Sequence, residues 1–149
     1  AEKVTELMRD SIQQWKSLKT KNSPVYQNRE AAVRARHFAG KLKKSSVETL
    51  VARGLGENTD GLVWRSDPRL RIKSRLYLSE AQILQMIQDI TAHVLVIEAE
   101  DTDTRRWVDL LRSRLGYVKN LDHRIIPGGH HLHLDEPQSV ASAIKDFLE

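Results

Sequence analysis

The sequence predicts an α/β chain in which a helical segment over residues 1–91 precedes a β-α-β-α unit of a parallel sheet over residues 92–149. Three observations predict it. Before residue 92 the apolar residues recur at helical spacing. Val94-Leu95-Val96-Ile97 is an unbroken run of β-branched residues and leucine, the composition of a strand covered on both faces. A second strand pattern at Leu121–Ile126, with amphipathic stretches after each strand, completes the alternation.

Val4, Leu7, Met8, Ile12, Trp15 and Leu18 form one apolar stripe of a first helix. Asn22-Ser23-Pro24 ends it, because proline cannot continue a helix and restricts the residue before it. Asn28 is placed to cap a second helix running through Phe38. Ser45 and Glu48 fit a capping box that opens a third helix, closed by Gly54. Asp60-Gly61 is a turn dipeptide ahead of the short apolar run Leu62-Val63-Trp64. Ser79 and Gln82 repeat the capping signal before Ile83, Leu84, Met86, Ile87 and Ile90. Beyond the strand at Val94–Ile97, Trp107, Val108, Leu111 and Leu115 mark a helix that Gly116 stops. The strand Leu121–Ile126 is closed by Pro127-Gly128-Gly129, and Val140, Ile144, Phe147 and Leu148 mark the last helix. There is no internal repeat.

At 149 residues with 40% hydrophobic residues, the chain has the size and composition of one globular domain rather than a disordered segment. No apolar run approaches membrane-spanning length, and residues 1–20 lack a signal-peptide core. Without cysteine there is no disulfide, thiolate ligand or thiol nucleophile, and a cytoplasmic location is expected. Residues 1–75 hold 17 Lys/Arg against 8 Asp/Glu, whereas residues 76–149 hold 7 against 12. The basic residues interleave with helical apolar positions and read as solvated faces, so neither nucleic acid nor membrane is an expected partner.

Two parallel strands would expose unpaired backbone along their outer edges. The run Val94–Ile97 asks for strand neighbours on both sides. These are expected from an N-terminal segment outside the chain, a second chain or a partner copy.

The densest chemistry lies in Pro127-Gly128-Gly129-His130-His131-Leu132-His133-Leu134-Asp135-Glu136-Pro137. It follows a strand, at the end of an open α/β sheet where ligands bind. A histidine there can act near neutral pH as general base and then general acid. A zinc site of His130, His131 and His133 is disfavoured, because adjacent histidines diverge and no His-Glu-x-x-His pattern occurs. No cofactor is expected.

Gly129-His130-His131-Leu132-His133-Leu134-Asp135-Glu136-Pro137 resembles the terminal Gly-His-x-x-His-Leu-x-x-Pro pattern of α/β-hydrolases. Tyr26 with Arg29-Glu30-Ala31-Ala32-Val33-Arg34, and Gly61 through Leu70, resemble the cap of the serine-hydrolase-like (kraken-type) subgroup. The resemblance implies the C-terminal half of such a fold: a helical cap, then the last two strands. It makes His130 the catalytic histidine and His133 a supporting residue. The family's triad acid is implied near the strand end, where Thr102 aligns between Asp101 and Asp103. Either aspartate serves if the loop shifts by one residue; alternatively the acid lies outside the chain, or Asp103 (or Thr102) simply caps the next helix. The family's Gly-x-Ser-x-Gly nucleophile motif does not occur in these residues. Trp15 and Trp64 are candidates to line an acyl pocket, though core or interface packing explains them as well. Asp67, between Arg65 and Arg69, reads as a turn or ion-pair residue. The expected activity is hydrolysis of an ester-like, small apolar substrate by the intact enzyme. The alternative is a non-catalytic truncated relative acting as a protein-interaction module.

Overall fold

The computed structural model describes residues 4–18, 23–40, 42–74, 76–101 and 105–149, with backbone only for 105–107. These form two compact units, Ala1–Gly40 with Val47–Leu78, and Lys41–Ser46 with Ser79–Glu149.

In the first unit, helix α1 (Val4–Leu18) forms over the predicted stripe. Its Ser11 is fully buried and donates its hydroxyl to the Lys73 carbonyl at 2.8 Å. Helix α2 (Arg29–Phe38) starts as expected, with the Asn28 side chain accepting from the Ala31 N–H at 2.9 Å. Helix α3 (Lys44–Gly54) starts two residues earlier than the capping signal predicts, which puts Ser45 inside its first turn rather than at the cap. Gly54 does close it. A methyl group there would lie 2.6 Å from the Trp64 ring, so close packing requires the glycine.

Strands β1 (Leu55–Asn58) and β2 (Gly61–Trp64) pair antiparallel across the predicted Asp60-Gly61 turn. Asn58 Oδ1 accepts from the N–H groups of Asp60 and Gly61, and Gly61 adopts φ 138°, a region that favours glycine. Strand β1 was not anticipated, since Gly56, Glu57 and Asn58 carry little strand propensity. It forms because its partner offers the apolar Leu62-Val63-Trp64. Tyr26 adds a bridge to Leu62, with N···O distances of 2.8 and 2.9 Å. A 3₁₀ turn follows at Pro68–Arg71, capped by Asp67, whose carboxylate also takes the Arg69 guanidinium. Asp67 is thus a turn and ion-pair residue, as read.

In the second unit, helix α4 (Glu80–Gln88) opens with the complete Ser79/Gln82 capping box. Strand β3 (Val94–Asp101), helix α5 (Arg105–Leu115) and strand β4 (Leu121–Gly129) follow, then a single helical turn α6 (Leu132–Asp135) and helix α7 (Pro137–Leu148). β3 and β4 are parallel, in register from Val94↔Leu121 to Ala99↔Ile126, after which Asp101 pairs with Gly129. β4 therefore carries one extra residue at Pro127-Gly128. The expected end of this strand at Ile126 is overturned: the bulge lets proline sit inside it without breaking the ladder.

Adjacent β4 residues face opposite ways. His123 meets Glu98 and thereby the α5 side, while Arg124 donates to the Ala143 carbonyl of α7 at 3.1 Å. Helices α5 and α7 thus flank opposite faces, and Glu80 joins α4 to α5 through two bonds from Arg114 (2.9 and 2.7 Å). Among the described residues the parallel sheet has two strands. Val94–Ile97 is half-buried rather than enclosed, its ladder formed with β4 alone among the described residues.

One charge lies deep in this unit. Glu98, 5% exposed, accepts two hydrogen bonds from Arg112 (2.7 and 3.3 Å) and contacts His123 Nε2 at 2.9 Å. The Arg112 hydrogen bonds, outweighing the opposing effect of burial, hold its carboxyl below the usual glutamate range. Among the described residues no helix is long and apolar enough to cross a membrane.

Candidate active site

The end of β4 delivers His130 to the C-terminal edge of the parallel pair. Its predecessor Gly129 is the register partner of Asp101, the last residue of β3. The expected base and one of the two expected acids therefore emerge from neighbouring strand ends. Both side chains are exposed, and no hydrogen bond joins them among the described residues. Asp103, the other candidate, lies outside the described residues. His130 meets His131 edge-on with ring centroids 5.1 Å apart, and His133 lies 6.3 Å beyond His131. Among the described residues no group of three or more metal-ligating side chains converges.

The loop bearing His130 is fastened from two directions. From the strand side, Gly128 takes φ 137°, and a methyl group on it would lie 2.7 Å from Leu132 Cδ1. Leu132 is itself buried and anchors α6. On the other side, the segment leading into α3 grips the end of that turn. Asp135 Oδ1 accepts from the Lys43 N–H at 3.0 Å and lies 2.6 Å from the Ser46 hydroxyl, which is also 2.9 Å from the Leu134 carbonyl. The Lys43 ammonium pairs with Glu136, the main reason its pKa is raised.

No family model matches the chain. It is 27% identical over 154 residues to "Serine hydrolase-like protein" of Danio rerio, a match covering 94% of this chain and 44% of the relative. A solved hypothetical protein from Pseudomonas aeruginosa PAO1 superposes with a TM-score of 0.84 at 31% identity, over 99% of this chain and 53% of that one. The thioesterase domain from the curacin biosynthetic pathway shares the fold, with a TM-score of 0.80 at 21% identity over 98% of this chain and 52% of that domain. The chain is an α/β-hydrolase relative. It spans about half the length of these proteins or less.

In this α/β-hydrolase relative the two expected pocket residues belong to the first unit. Trp15 stands 41% exposed on α1. Trp64, on β2, is half-buried, with its indole N–H directed to the Tyr26 hydroxyl at 3.4 Å and Gly54 beneath its ring. Sequence reasoning missed the Lys43–Ser46 grip on the histidine loop. A contact across 88 to 93 residues leaves no local signature, and the one available hint was a carboxylate following His133-Leu134. Ser46→Ala should cost about 1 kcal/mol, since the half-buried Asp135 carboxylate and Leu134 carbonyl lose the buried Ser46 hydroxyl. Amide exchange should register the loss first at 132–136. Unchanged protection there would show that the grip does not hold the loop.

Proposed function

We propose that the chain is the C-terminal part of an α/β-hydrolase that cleaves an ester-like bond in a small apolar substrate, with His130 as general base and then general acid. The observation that supports this is the emergence of His130 beside Asp101 at the C-terminal edge of two parallel strands, the edge where open α/β sheets bind ligands. A serine contributed by the part of the protein that longer relatives carry would attack the ester carbonyl while His130 takes its proton. His130 would pass that proton to the departing alkoxide. It would then draw a proton from water as the water oxygen bonds to the acyl carbon, and return that proton to the serine oxygen as the acyl–serine bond breaks and the acid leaves. Asp101 or Asp103 would orient the imidazole. Residues 1–91 would serve as the cap, with Trp15 and Trp64 bordering the substrate. The cytoplasm is the proposed location, with neither nucleic acid nor membrane as partner.

The test is ester turnover by the full-length polypeptide, beside the 149-residue chain alone, using p-nitrophenyl acetate and butyrate. Turnover by the former only, with acylation of an upstream serine seen by mass spectrometry, is expected. A full-length protein that neither acylates nor turns over would refute the reading.

One observation favours a second reading. The two-stranded sheet offers open edges, and the 149 residues contain no Gly-x-Ser-x-Gly. As a non-catalytic relative, the chain would pair those edges with a partner strand, either from a second copy or from another chain. Concentration-dependent association without hydrolysis would support it.

A further inference from the structure

The first unit contains a cavity of about 450 Å³ between the second half of α1 and the segment Pro68–Lys73. Its wall is fixed rather than loose. The buried Ser11 hydroxyl donates to the Lys73 carbonyl at 2.8 Å, and the Lys73 N–H donates to Gln14 Oε1 at 3.0 Å, so both backbone groups of Lys73 are tied to α1. The lining divides by chemistry. Leu18, Pro68 and Ile72 supply apolar surface, while among the described residues Arg71 and Lys73 are its charged members.

Among the described residues no carboxylate lines the cavity. Asp67, next to Pro68, is already engaged by the backbone and side chain of Arg69. Among the described residues neither Arg71 nor Lys73 forms an ion pair. Arg71 and Lys73 both border the hollow with exposed side chains, so an anion seated against the apolar wall would meet positive charge there. A guanidinium fork matches the two oxygens of a carboxylate. The volume falls within the range of small-molecule sites.

We propose that this cavity binds short- to medium-chain aliphatic carboxylates, with Arg71 and Lys73 taking the carboxylate and Leu18, Pro68 and Ile72 the chain. The site stands independently of the hydrolase reading, because it uses no residue of the His130 loop. Acids of this class are also what ester hydrolysis releases, so an occupied site would couple such an enzyme to its product.

The test is a titration of the ¹⁵N-labelled chain at low salt with hexanoate, butyrate, hexan-1-ol and inorganic phosphate, followed by amide shifts. Hexanoate should move the amides of Leu18, Arg71, Ile72 and Lys73. Butyrate should bind about tenfold more weakly, from a factor of up to about four per buried methylene. Hexan-1-ol should bind at least about fivefold more weakly for want of the charge-assisted bonds. Arg71→Gln with Lys73→Gln should weaken hexanoate by a similar factor. Arg71→Lys, which keeps the charge and loses the fork, should fall between. Both side chains are exposed, so the variant spectra should otherwise overlay the parent. Equal binding of hexan-1-ol, indifference to the double substitution, or shifts confined to other amides would each overturn the proposal. Phosphate matching hexanoate at the same amides would overturn the role of the apolar wall.

Discussion

Replacing His130 by alanine should lower kcat/KM for ester hydrolysis in the full-length protein by about 10³-fold or more, the loss expected when a triad base is removed. The fold should not notice. His130 is exposed at the end of β4, and among the described residues its one ring contact is with His131, so the unfolding free energy should stay within about 0.5 kcal/mol of the parent. That separation makes the test clean, because activity and stability should part company. His133→Ala is the companion variant. It lies one helical turn away and should retain activity within about tenfold if its role is support. Should His130→Ala keep more than a tenth of the parent kcat/KM, another group would be the base and the proposed assignment would fall.

The second large effect is on stability. Glu98→Ala should cost on the order of 2 kcal/mol, read from urea unfolding, because it removes a buried carboxylate that binds both Arg112 and His123. Partial exposure of Arg112, at 53%, lets water recover some of the loss and keeps the figure below that of a fully enclosed pair. The effect depends on pH with a definite sign. Arg112 lowers the folded-state pKa of Glu98, so its contribution is complete above the unfolded glutamate value of about 4.3 and disappears as pH falls through the lower folded value. The gap between parent and Glu98→Gln should therefore narrow below about pH 4. A gap that stays constant down to pH 2 would show that Glu98 contributes by packing alone.

The elements that sequence reading captured are those whose signals are local. Asn28 caps α2, and the Ser79/Gln82 box opens α4, because each needs only residues within three positions. The strands at Val94 and Leu121 show through their composition. What escaped depends on partners distant in sequence. Leu55–Asn58 becomes a strand only because Gly61–Trp64 folds back on it. Pro127 stays within β4 only because the ladder admits an extra residue there. The Glu98 cluster escaped as well, since nothing nearby in the sequence points to Arg112 or His123 as its partners. At the candidate site the position of His130 was legible from its motif. The Ser46 and Lys43 contacts that brace its loop were not, since they come from a segment nearly ninety residues earlier.

Gly128 and His130 sit two residues apart under different kinds of constraint, and that difference should leave a trace in descent. Gly128 answers to geometry: its backbone angle is one that other residues adopt only under strain, and the Leu132 methyl group stands close against it, whatever the protein does. His130 answers to chemistry, for its exposed ring bears no packing duty that another side chain would fail. In a lineage that stopped hydrolysing and kept only the fold, drift should erase the histidine early and leave the glycine in place. In one that still turns over substrate, both should persist. The identities at these two positions across descendants would then serve as a historical record of whether catalysis was retained.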